Sequence, residues 1–217
     1  MTAIVRQPLD ARGSFAWQPG PSDPKLRSST AIVTDAGTVL VDPVDGDGLD
    51  AALASLPPVC GVVTLLDRHQ RDAAPMAERL GVPRLIPLAL GGPGVAMPGV
   101  EERTIIARRY WREALLWLAE PRLLVCAETL GTASFDLARS GDPIGLHPLA
   151  RLAPPRHVFA GLEPEVIAVG HGQPLTQGAP GALREALRTA RVQLPMNWLR
   201  LVPDAVRASR DARRARR

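Results

Sequence analysis

Apolar residues along the chain fall first into short extended runs and only later into helical spacing. Ser29–Asp35 and Thr38–Asp42 are strand-like runs separated by Ala36-Gly37, which predicts a β-hairpin. Leu49–Leu56 carries helix formers and stops at Pro57-Pro58. Val59–Leu66 is continuously apolar and β-branched, the pattern of a strand covered on both faces. The polar patch Asp67–Asp72 follows, then a helical stretch Ala73–Leu80 closed by Gly81, then a strand over Val82–Pro87. Strand, helix and strand at this spacing predict a βαβ unit with parallel strands.

The middle of the chain predicts a meander of Val100–Ala107, Ala114–Ala119 and Arg122–Ala127. A short strand, Val166–Val169, runs into Gly170-His171-Gly172, and Ala182–Val192 has the spacing of an amphipathic helix. Residues 1–28 are rich in Pro, Gly and Ser and are expected to be an irregular lead-in. Strands with interspersed helices imply an α/β protein with layered, mixed sheets: one domain over residues 29–203 and a basic, disordered tail over 204–217.

Composition narrows the class. The 217 residues are 46% hydrophobic and 22% charged, with a mean hydropathy of +0.01, as expected of a globular chain. No apolar run is long enough to span a bilayer, and Met1–Asp10 holds no secretory-signal core, so a cytoplasmic location and no membrane partner are expected. The net charge of +4 comes from the end of the chain, where residues 206–217 hold six arginines against Asp211. Such a tail is one route to nucleic-acid binding, but a solvated, disordered terminus is the expectation, and nucleic acid is not the expected partner. Cys60 and Cys126 lack metal or redox spacing and are expected to be free, buried thiols.

Candidate chemistry lies directly after the buried strands, where open α/β sheets place their crevices. His69 and Asp72 follow Val59–Leu66, Glu128 and Thr129 follow the third meander strand, and His171 follows Val166–Val169. All but Thr129 are metal-ligand types.

These segments, in this order, resemble the metallo-β-lactamase fold superfamily. Ser29–Asp42 is similar to the family's opening hairpin, and Thr64–Asp72 lies where a T-H-x-H-x-D-H motif belongs. Leu123–Leu130 resembles the strand ending in G-D-x-L, and Val169–Pro174 the terminal G-H-G-x-P. The resemblance implies a layered sandwich of mixed β-sheets with flanking helices. It also implies a dinuclear metal centre, most of whose ligands are replaced here. With Asp72 on the motif's Asp, the three histidine positions hold Arg68, Gln70 and Ala73. Another histidine position falls near Arg109-Tyr110-Trp111, and Glu128 stands at the bridging Asp.

Three functional readings follow. The first is a divergent, metal-free relative that has lost standard zinc-dependent hydrolysis and keeps the crevice for binding or regulating a small molecule. Arg68, Gln70, Arg71, Tyr110, Trp111 and Thr129 would line that crevice, with Arg68 and Arg71 paired to Asp72 and Glu128. The second is a hydrolase of esters, thioesters or similar substrates with one Zn, Mn or Fe ion on His69, Asp72, Glu128 and His171. His69, Asp72 and His171 are then the candidate catalytic residues. The third is nucleic-acid binding through the arginine tail.

Overall fold

The computed structural model describes residues 3–20 and 23–214, with side chains as far as Leu199. Two strands, β1 (Val5–Pro8) and β2 (Phe15–Gln18), lead into the hairpin of β3 (Ser29–Thr34) and β4 (Gly37–Val41). Helix α1 (Leu49–Leu53), strand β5 (Val59–Val63), helix α2 (Ala73–Leu80) and the two-residue β6 (Arg84–Leu85) complete the first half. The six strands form one sheet in sequential order, antiparallel from β1 to β4 and parallel from β4 to β6. The predicted βαβ unit is therefore present.

The meander follows as β7 (Glu101–Arg108), β8 (Trp111–Leu118) and β9 (Leu123–Cys126). Two short strands, β10 (Leu130–Gly131) and β11 (Gly145–Leu146), pair with each other. The last strand, β12 (Val166–Ala168), lies parallel to β9 and completes a second sheet in the order β12-β9-β8-β7. Helix α3 (Ala179–Arg214) ends the described chain.

Side-chain alternation explains the layering. On β4, Val39 and Val41 join an interior cluster with Leu115, Leu116 and Leu124 of the second sheet. Leu40, between them, faces the other way and packs with Trp17, Leu49, Leu53 and Met76. The first sheet is thus covered by the second sheet on one face and by α1 and α2 on the other. Leu183, Leu187 and Ala190 of α3 join the interior cluster.

Two sequence expectations fail. Residues 5–18 are not an irregular lead-in: two strands lie there, because Trp17 is fully buried (0% exposed) and its Nε1 donates to the Val44 carbonyl at 2.8 Å. The helix expected over 182–192 continues to Arg214, through most of the segment expected to be disordered, in keeping with the helix propensity of its Ala and Arg. Residues 215–217 lie outside the described residues. Among the described residues no helix is long and apolar enough to cross a membrane. Both cysteines are free, Cys126 buried and Cys60 partly so.

Candidate functional site

Four strand ends converge at one edge of the sandwich. Asp42 follows β4, the 67–72 loop follows β5, Glu128 follows β9, and His171 follows β12. The two sheets are tied together here: Asp67 N–H donates to Arg112 O at 3.1 Å and Ala114 N–H to Leu65 O at 2.9 Å. The loop is therefore held against β8 rather than left free.

His69, Glu128 and His171 form a cluster whose ligand-type atoms lie within 4.8 Å of one another. The His69 and His171 Nε2 atoms face each other at 3.2 Å. Each ring's other nitrogen has its own partner. His69 Nδ1 is 3.0 Å from Asp42 Oδ2, and His171 Nδ1 donates to the Lys25 carbonyl at 2.8 Å. Asp42 is buried, and its Oδ1 accepts the Leu65 amide at 2.8 Å, which fixes the carboxylate. Burial, with help from neighbouring His69 and Arg71, pushes His171 down to about 4 against the opposing pull of the Lys25 carbonyl.

The glycines beside His171 are required by close packing. A Cβ on Gly170 would stand 2.2 Å from the Ala127 carbonyl oxygen and 3.0 Å from His69 Cε1. Gly172 has φ +94°, and its Cβ would meet Thr132 Oγ1 at 2.3 Å.

Glu128 is set from below. Its amide and that of Thr129 donate to Glu113 Oε1 at 2.8 and 2.9 Å. Thr129 Oγ1 and Trp111 Nε1 donate to Glu113 Oε2 at 2.7 and 2.8 Å. Burial raises the Glu113 carboxyl above its ordinary range, against four hydrogen bonds that pull it down. Above, Arg68 pairs with Glu128 Oε2, and its guanidinium lies 4.8 Å from the centre of the Trp111 ring.

Arg71 does not pair with Asp72, as the sequence suggested. Its guanidinium donates to the carbonyls of Ser28 (2.5 Å), Asp42 (2.9 Å) and Gly170 (2.9 Å), joining three strand ends. Asp72 stands outside the histidine cluster, its Oδ2 accepting the Asp45 amide at 2.8 Å just ahead of α2. Gln70 is turned toward Arg84 and the Asp67 carbonyl. Tyr110 is 80% exposed at the hairpin tip, and only its carbonyl meets Arg68. Thr129 faces the buried Glu113. Of the residues expected at the crevice, the structure thus gathers Arg68, His69, Trp111, Glu128 and His171.

Sequence reasoning did not assign Asp42 or Glu113 to the site. Glu113 carried a signal: on β8 it shares the inward parity of Trp111 and Leu115, so a carboxylate was bound to be buried there. Asp42 ends a fully buried strand in left-handed backbone (φ 44°), as Arg71 does in the facing loop (φ 41°). Two such non-glycine residues mark where backbone strain collects around a site.

Comparison with solved structures bears on the fold. A metallo-β-lactamase from Hirschia baltica aligns over 89% of this chain and 98% of its own, with a TM-score of 0.57 and 11% identity. One from Erythrobacter litoralis aligns over 88% and 92%, with a TM-score of 0.58 and 12% identity. The chain has the metallo-β-lactamase fold. Another Erythrobacter litoralis structure, described as a metallo-β-lactamase in its mono-zinc form, aligns with a TM-score of 0.56 at 13% identity over 88% of this chain and 96% of that one. No protein-family model and no curated protein matches the sequence. Within this fold, the His69–Glu128–His171 cluster lies where the strand ends converge.

Proposed function

We propose that this crevice is a reduced, single-cation centre on a metallo-β-lactamase fold, held by His69, His171 and Glu128, and that its reaction is hydrolysis of a small ester, thioester or similar substrate. The observation that carries the reading is the facing pair of Nε2 atoms at 3.2 Å. With both rings neutral and their Nδ1–H groups donating to Asp42 and the Lys25 carbonyl, both Nε2 lone pairs would point into the same space. Two lone pairs that close repel unless a positive charge sits between them. Burial opposes a proton on His171, and two imidazoles with one carboxylate suit Zn²⁺, Mn²⁺ or Fe²⁺.

When bound, such an ion supplies Lewis acidity and lowers the pKa of water at its open position. The chain's own residues have separate tasks. Asp42 and the Lys25 carbonyl fix the two imidazole tautomers. Glu113 fixes the Glu128 backbone from beneath. Arg68 holds one Glu128 oxygen and presents its guanidinium at the mouth, where it suits an anionic or carbonyl-bearing substrate. The positions expected to supply a second ion hold Arg68, Gln70 and Ala73, which is why the proposed centre has one ion rather than two.

A second reading has an observation of its own. Arg68 pairs with the Glu128 carboxylate, and Arg71, bound to the Asp42 carbonyl, lies close enough to feel the Asp42 charge, so two cations stand against two carboxylates. A crevice without net negative charge would favour a metal-free site for a small anion. Elemental analysis of protein purified without chelator, with melting curves in Zn²⁺, Mn²⁺ and EDTA, separates the two. About one ion per chain and a melting point lowered by EDTA support the metal centre. No ion and no shift would leave the binding crevice.

A further inference from the structure

We propose that the chain carries a second binding site, for an amphipathic anion, in the cavity between β7 and the loop of residues 149–157. The cavity measures about 590 Å³, within the span of about 300–1,000 Å³ found for small-molecule sites. Its walls are apolar, from Ile105, Ile106, Trp111, Ala150, Pro154 and Pro155. Leu149, 53% exposed, stands among the lining residues as an uncovered aliphatic surface.

The charged groups around these walls are all of one sign or neutral. Arg108, His157 and Arg191 line the cavity, and no Asp or Glu does. Among the described residues the side chains of Arg108, Arg191 and His157 make no hydrogen bond or ion pair. Of the arginines lining other cavities, Arg12 pairs with Asp35, Arg79 with Asp45 and Asp50, and Arg184 with Glu163, while Arg112 stands singly beside its cavity without a side-chain partner among the described residues. Two unpaired guanidinium groups over an apolar hollow lack an anionic partner. A planar carboxylate or a phosphate matches their donor fork, and an attached hydrocarbon or aromatic body matches the walls.

This site stands apart from the histidine cluster. None of His69, Glu128 or His171 lines it, so it requires no metal in the crevice. Trp111 is the one residue common to both surroundings, lining the cavity while its ring carries Arg68.

Calorimetric titration of the full chain with octanoate, octyl phosphate and octanol tests the proposal. Saturable binding of octanoate or octyl phosphate, at least tenfold tighter than octanol, is expected, and the tighter anion names the head group. The double variant R108E/R191E should weaken the anion at least tenfold and leave octanol unchanged. Both side chains are exposed, so melting curves should confirm an intact fold. Equal binding of octanol and the anions, undiminished anion binding by the double variant, or no anion binding at millimolar concentration would each overturn it.

Discussion

Asp42 Oδ2 lies 3.0 Å from His69 Nδ1, with both side chains buried, and this contact decides which nitrogen of His69 faces His171. The carboxylate accepts a hydrogen bond from Nδ1–H, which in the neutral ring leaves Nε2 as an acceptor. A change at Asp42 therefore acts on the cluster without touching either facing nitrogen.

Asp42→Asn is expected to lower Zn²⁺ affinity about 10- to 100-fold, the usual cost of losing a carboxylate behind a ligating imidazole. The amide can turn an N–H toward Nδ1 and push the ring proton to Nε2. Competitive zinc titration against a chromogenic chelator measures this. An unchanged affinity would show that the tautomer argument is wrong.

Arg68→Met should act in the opposite direction. Removing the guanidinium frees Glu128 Oε2 and takes one positive charge away from the cluster. Zn²⁺ or Mn²⁺ affinity should rise by about threefold to tenfold, while stability changes by less than about 1 kcal/mol because the pair is partly exposed. If cation affinity instead falls, Arg68 supports the centre rather than competing with it.

Arg71→Met tests the tie between strand ends. It removes donors from three carbonyls at once, and the protein should lose about 2 kcal/mol in urea unfolding. A loss within experimental error would mean that water replaces the guanidinium at no cost.

Trp17→Ala should cost about 3–5 kcal/mol, since it empties a fully buried site and leaves the Val44 carbonyl without its donor. This measures how far the first eighteen residues belong to the folded unit. A change below about 1 kcal/mol would place them outside it.

Asp136 gives a pH dependence with a definite sign. Burial, foremost, and the nearby Glu128 push its carboxyl well above the ordinary range, and its Oδ1 makes no hydrogen bond among the described residues. The folded state then binds a proton that the unfolded chain releases, so this group costs stability as pH rises above the unfolded value near 4. Asp136→Asn should remove that slope. The variant's melting point relative to the parent should climb from pH 4 to pH 7. A constant difference would show that the buried carboxyl is not shifted.

The sequence carried most of the sandwich because its strands are long enough to show a pattern. The β3–β4 hairpin, the βαβ unit and the meander were all legible, and the strand ends pointed to His69, Glu128 and His171. Legibility failed for two physical reasons. Trp17 sits in a four-residue strand among Pro and Gly, too short for alternation to rise above the local composition. Side-chain direction within the 67–72 loop was also beyond reach, because periodicity does not apply to a turn. Arg71 in left-handed backbone sends its guanidinium to three carbonyls, and Asp72 turns toward Asp45, while His69 takes the place opposite His171.

The parallel pairing of β12 with β9 sets the order in which this crevice comes into being. His69 and His171 are 102 positions apart, and His171 is delivered by the final strand of the second sheet. On a chain emerging from the ribosome, the first sheet and the β7–β9 meander are already available before residue 171 is made. His69 then waits against Asp42 without its counterpart. Cation capture would be a late event in biosynthesis, and a nascent chain stalled ahead of β12 would carry most of the sandwich yet no assembled centre.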